Sequence, residues 1–221
     1  MPEASFLNDW GHWLPELLPG LWVSIKLTIV SLAFGLPFGV VLALGTSATN
    51  RLVRYAALVV VEAGRGTPAL VLLYLVYFGL PSDGITLSVF MAGAITLAAG
   101  TGAYTSEIFR AGLLAVPRGQ YEAARAIGLS YVDQLRLVVL PQAIRICVPP
   151  LVGWSIILFQ GTSVAYAISL PELTSRAYNI GTITFKFTSV LALAGLMYAA
   201  IAIPAAQAVG FLERRHRRLN R

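Results

Sequence analysis

Five apolar stretches constrain this chain more than any other feature. Each comes close to or exceeds the ~20 residues a helix needs to cross a bilayer. They run from about Leu21 to Leu44, Tyr55 to Leu80 with a break at Gly64-Arg65-Gly66-Thr67-Pro68, Leu87 to Phe109, Ile146 to Leu170 and Val190 to Phe211. A soluble domain with a rich core does not produce runs of this length. Only 12% of the 221 residues are charged, against about 25% in a soluble domain. A membrane barrel would instead show ~10-residue alternating segments. The expected fold class is an all-α integral membrane protein with five transmembrane helices. No second domain, low-complexity linker or strong repeat is evident, so residues 1–221 read as a single transmembrane domain.

Orientation follows from counting basic residues at the span ends. The leader before the first span has no Lys or Arg and carries Trp10 and Trp13, with Trp22 close by, as an aromatic belt would. Lys26 lies near the start of that span, where its side chain can snorkel to the interface. Arg51 and Arg54 follow the first span, Pro81 to Thr86 has no basic residue, and the region from Arg110 to Arg145 has five arginines. The tail carries arginines at 214, 215, 217, 218 and 221. Only Arg176 and Lys186, between the last two spans, break the alternation. The expectation is an outside N-terminus and a cytoplasmic C-terminus, with the tail cluster an orientation anchor or an anionic-lipid contact rather than a nucleic-acid site. The segment Met1 to Asn8 lacks a basic region and a small-residue cleavage site, so no cleavable signal is expected. The single Cys147 excludes a disulfide within the chain.

The longest polar interruption, about 112–144, falls on the cytoplasmic side of this topology. Glu122 to Ile127 is Ala-rich and predicts a helix, with Glu122 near its N-terminus. Gly128 would stop that helix. Ser130 reads as the next N-cap, with Asp133 three residues on, and Pro141 as the return toward the membrane. Two short helices with a bend between them are expected.

The spacing of Glu122, Ala123, Ala124, Gly128, Leu140 and Pro141, with Val138 between, resembles the "EAA" loop of permease subunits of bacterial ABC importers. Arg65-Gly66-Thr67-Pro68, Gly102-Ala103-Tyr104 with Glu107 and Arg110, Gly119-Gln120, Pro141-Gln142-Ala143, Thr162-Ser163 and Pro171-Glu172-Leu173 resemble the polar amino acid subfamily. The resemblance covers most of the chain. It implies a type I importer fold in a bacterial inner membrane, with a cytoplasmic coupling helix between helices 3 and 4 that docks on an ABC ATPase dimer. It implies that ATP closure of that dimer swings the permease between outward and inward access, and that an external solute-binding protein delivers the ligand. The chain has no Gly-x-x-x-x-Gly-Lys-Ser/Thr loop, so ATP and Mg are expected on the partner, with no cofactor, no catalytic residue and no metal site in this chain. Five helices cannot enclose a pathway alone, so a second permease subunit, identical or closely related, is expected.

Polar groups at membrane depth are candidate path residues. Glu62 and Arg65 share a helix face, either as an internal ion pair or with Arg65 facing a substrate carboxylate. Thr101, Tyr104 and Thr105 recur at helical spacing and either line a passage or bond neighbouring helices. Gln160-Gly161-Thr162-Ser163 can loosen a helix and expose backbone. Many family members carry a Lys-Asp or similar charged pair where this chain has Gln160-Gly161, so a charged-substrate site does not transfer directly. Glu107 and Arg110 read as structural. An opine or another small zwitterion fits as well as an amino acid. A secondary transporter would need more spans, and a membrane enzyme would need a catalytic cluster, whereas His12 and His216 lie at opposite ends.

Overall fold

The computed structural model describes residues 7–219, with the side chains of 209 and 211–219 outside the description. Arg214, Arg215, Arg217, Arg218, Arg221 and His216 therefore lie outside the described side chains, as does most of the leader Met1 to Asn8. The described residues form α1 (Trp10–Thr46), α2 (Arg51–Gly66), α3 (Ala69–Tyr74), α4 (Val89–Leu114), α5 (Arg118–Ala126), α6 (Tyr131–Asp133), α7 (Leu140–Gly161), α8 (Leu173–Thr184) and α9 (Phe187–Leu219). No strand occurs among them.

Three segments are long and apolar enough to cross a membrane: Trp10–Thr46, Tyr131–Ile168 and Phe187–Ala208. A fourth arises if α2 and the stretch Ala69–Asp83, bent by 106° at the break, are one span. The expected count of five is therefore not met on this measure. The segment expected at about 87–109 does form a helix, α4, of 26 residues. Its inner face is too rich in Gly, Thr and Ser to qualify: Gly93, Thr96, Thr101, Gly102, Thr105, Ser106 and Gly112 are all buried.

Those small residues let α4 serve as the central element, flanked by α1, α2 and α7. A β-carbon placed on Gly35 of α1 would lie 2.6 Å from the Thr101 side chain, and one on Gly39 would overlap the Thr105 hydroxyl. The two backbones thus approach through a Gly-x-x-x-Gly face, since lipid supplies no hydrophobic drive and close contact must hold the pair. Thr105 turns its hydroxyl back on the Thr101 carbonyl at 2.8 Å, leaving a smooth surface for the partner helix.

A second cluster joins the chain ends. Trp13 and Leu17 of α1 pack with Leu173, Ala177 and Ile180 of α8 and with Val190, Leu193 and Met197 of α9. Lys186 pairs with Asp9, and Trp10 Nε1 donates to Ser189 Oγ at 3.0 Å. Arg176 donates to the Glu16 carbonyl at 3.4 Å. Thus the two basic residues that broke the charge alternation are each engaged by the first helix.

The return after the polar loop differs from the expectation. The second segment is not a short helix that Pro141 turns back. α6 leads through a π turn at Gln134–Val139 straight into α7. Pro141 sits in the first turn of α7, where a missing N–H is tolerated, and the π turn before it already shifts the ladder. The helix before Gly128 also begins earlier than expected, at Arg118.

Candidate functional site

Two regions concentrate the polar chemistry, and they lie on different parts of α4. The first is the segment between α4 and α6. Pro117 precedes α5 and starts it. Gly128 ends it with φ of +79°. Its N–H donates to the Arg125 carbonyl at 3.0 Å, and the Leu129 N–H reaches the Ala124 carbonyl at 3.2 Å. This double closure is a Schellman motif, which needs a left-handed residue at this position. Ser130 then caps the next helix, accepting from the Asp133 N–H at 3.2 Å.

Within α5 only Ala124 is buried, while Glu122 and Ala123 face outward. A cluster of Val116, Val139 and Ala143, with Leu113, Tyr121 and Leu135 around it, seats α5 on α4 and α7. Gln142 Nε2 donates to Gln120 Oε1 at 3.1 Å and pins α5 to the start of α7. Leu140 and Pro141 are exposed on that same stretch. A cavity of about 400 Å³ opens beside α5, lined by Leu113, Val116, Arg118, Tyr121, Glu122 and Arg125. Leu114 also lines it, and Ile127, Tyr131, Val132 and Leu137 of the same segment are exposed. α5 is thus a short amphipathic helix seated on its inner face, in a segment that exposes apolar side chains.

The second region is a cavity of about 540 Å³ at the break between α2 and α3, within the ~300–1,000 Å³ range of small-molecule sites. Arg65, Thr67 and Pro68 come from the break, Thr96, Thr101 and Tyr104 from α4, and Trp154 and Gly161 from α7. Tyr104 and Trp154 stack with centroids 4.3 Å apart and planes 20° from parallel. The Arg65 guanidinium sits 5.8 Å from the Tyr104 centroid. Trp154 Nε1 donates to Thr101 Oγ1 at 3.3 Å, fixing the indole. Thr96 is buried at 3% exposure, and its hydroxyl has no hydrogen-bond partner among the described residues.

Of the expected path residues, the cavity gathers Arg65, Thr101 and Tyr104. Glu62 stays outside, 3.8 Å from Arg65 and largely exposed. Gln160, Thr162 and Ser163 do not line it. Gln160 is exposed, and the buried Thr162 donates to the Phe159 carbonyl at 2.7 Å. The expected loosening is nevertheless present, because the α-helix ends at Gly161 and continues as a 3-10 helix over Thr162–Ile168. Glu107 and Arg110 pair at 2.6 Å away from the cavity. Trp154 and Thr96 escaped sequence reasoning. An indole and a hydroxyl isolated within apolar runs were the available signal.

A third feature was also missed. Glu172 is fully buried and caps α8, accepting from the Thr174 and Ser175 N–H groups at 2.9 and 2.7 Å. Tyr198 donates to it at 2.8 Å and Ser24 at 3.3 Å, so one carboxyl ties α1, α8 and α9. It lies between the spanning segments. Burial pushes its pKa above the usual carboxylate range, against the lowering effect of these hydrogen bonds.

The two regions thus rest on a central helix of small residues, a neighbour broken before Pro68 and a capped amphipathic helix. The chain belongs to the family of binding-protein-dependent transport system inner membrane components, which it matches over residues 35–218. It is 35% identical over 202 residues to the probable amino-acid ABC transporter permease protein YckA of Bacillus subtilis (strain 168), covering 91% of this chain and 89% of that one. The L-cystine transport system permease protein TcyB of the same organism is 40% identical over 167 residues, covering 76% and 71%. A solved amino acid ABC transporter with histidines superposes with a TM-score of 0.90 at 31% identity, over 96% of this chain and 98% of that one. An inward-facing methionine ABC transporter, MetNI, shares the fold with a TM-score of 0.68 at 24% identity, over 96% and 99%.

Proposed function

We propose that this chain is the membrane-spanning subunit of an ATP-driven importer for polar amino acids, sited in a bacterial inner membrane. Relatives that carry amino acids, and a cavity whose lining offers one cation and several hydroxyls, support this reading. In it residues 1–221 form one permease domain with the N-terminus outside. α5, with Glu122, Ala123, Ala124 and Gly128, docks on a cytoplasmic ATPase dimer that holds ATP and Mg. Leu140 and Pro141 form the root through which the motion enters α7. A second permease copy completes the pathway, and an external solute-binding protein supplies ligand.

The observation that carries the proposal is that α4 links both regions. Its C-terminal end seats α5, and its middle lines the cavity at the α2–α3 break. A displacement of α5 therefore moves Thr101 and Tyr104 against Arg65. Discontinuous helices at a mid-membrane cavity are where transporters place substrate.

The test is reconstitution with the cognate ATPase and binding protein in proteoliposomes. Uptake should require ATP, and Glu122→Arg should abolish ATPase co-purification and uptake together. Uptake driven by a proton gradient without any ATPase would overturn the proposal.

A further inference from the structure

The cavity at the α2–α3 break is unbalanced in charge, and this bears on what it can hold. Arg65 is the only ionisable acid or base among its lining residues apart from the Tyr104 phenol. Two carboxylates outside the lining face Arg65: Glu62, 71% exposed and paired with it at 3.8 Å, and Glu107, which lies within electrostatic reach. Apart from the Trp154 indole, the remaining lining is apolar or hydroxylic, including Leu72, Leu97, Ile157 and Val164 with Thr67, Thr96 and Thr101.

We infer that the cavity selects α-amino acids with a single carboxylate and an uncharged, flat or apolar side chain. The inference rests on the proposed transport role and names its substrate class. Arg65 takes the carboxylate, because a guanidinium matches that group in geometry and charge. The unpartnered Thr96 hydroxyl supplies a polar contact, and a buried hydroxyl left unmade is costly. The side chain lies against the Tyr104–Trp154 stack, where a flat group gains ring contact.

A second charge on the ligand has no place here. A side-chain carboxylate would enter low-dielectric surroundings with the one cation already used. A side-chain ammonium or guanidinium would meet no lining carboxylate. Aromatic faces can hold a cation, but the Arg65 guanidinium already lies 5.8 Å from the Tyr104 centroid. A ligand cation there would add like-charge repulsion with Arg65.

The experiment measures direct binding to the detergent-purified permease–ATPase complex without the binding protein, so that selectivity belongs to the membrane subunit. Radiolabelled phenylalanine, glutamine, arginine and aspartate are compared by equilibrium dialysis. Phenylalanine and glutamine should bind at least about tenfold more tightly than arginine and aspartate. Arg65→Gln should weaken every ligand that binds, with partial recovery in Arg65→Lys. Trp154→Ala should weaken phenylalanine more than glutamine, with recovery in Trp154→Phe. ATPase retention on each variant reports that it has folded.

Arginine or aspartate binding as tightly as the neutral ligands would overturn the substrate class while leaving the site in place, provided Arg65→Gln still weakens them. If every ligand binds equally to wild type and Arg65→Gln, or none binds at all, both the class and the cavity's role as a substrate site fail.

Discussion

Glu172 is the residue whose surroundings differ most from water, with no exposed surface and four hydrogen-bond donors around it. Burial raises its pKa above the value it has when unfolded. A carboxyl raised in this way stabilises the fold fully below its unfolded pKa of about 4.3. That contribution declines as pH climbs from there through the raised folded value. Glu172→Gln keeps an acceptor for the helix cap and cannot ionise. Its melting temperature should therefore gain on wild type as pH rises through that window, read by thermal unfolding in detergent from pH 4 to about 8. A difference that stays flat, or reverses, would contradict the assignment. Glu172→Ala also removes the cap and should cost about 1–2 kcal/mol. Ser24 and Tyr198 meet this carboxyl from 148 and 26 residues away in sequence, so no local pattern announces it.

At the scale of elements, the segment from Pro117 to Asp133 was the most legible part of the chain. Its signals are local: a stop at Gly128, a cap at Ser130 and alanines between charged residues each act within one turn. Gly128→Ala forces a β-carbon into the left-handed region, at a cost of roughly 1–2 kcal/mol. The variant should insert normally but lose much of its ATP-dependent uptake, because α5 frays where the proposed docking on the ATPase would load it. Uptake at the wild-type level would show that the closure is dispensable. Pro141 misled for a physical reason, since a proline reads as a turn only where the ladder needs its N–H, and the π turn of Gln134–Val139 removes that need. The α1–α4 seam is closely packed at Gly35 and Gly39. Gly39→Val would drive a branched side chain into Thr105, costing about 1–3 kcal/mol as an overpacked contact. A lowered melting temperature with little stable complex recovered is the expected result, and an unchanged one would argue against close packing there.

For the whole molecule, run length gave the class of fold, and three or four of the five expected spans pass on length and hydropathy. The expected span at 87–109 falls short because α4 sits at the centre, where small hydroxylic residues replace aliphatic ones. The break in the second stretch was legible at Gly64-Arg65-Gly66-Thr67-Pro68, because Gly and Pro act locally, but nothing local sets its 106° angle. The candidate site was half legible. Arg65, Thr101 and Tyr104 are conspicuous as polar residues in apolar runs, whereas Trp154 matters only because α7 lies against α4, a relation 50 residues long in sequence. The contacts that close the N-terminal half of α1 have a further consequence for how the chain is made. Asp9, Trp10, Gly20 and Ser24 find their partners at Lys186, Ser189, Arg176 and Glu172, all synthesised near the end. During translation the first helix must wait in the membrane with that face unsatisfied until about three-quarters of the protein has followed it. A ribosome stalled before residue 172 would therefore leave a first helix that the insertion machinery still has to shield.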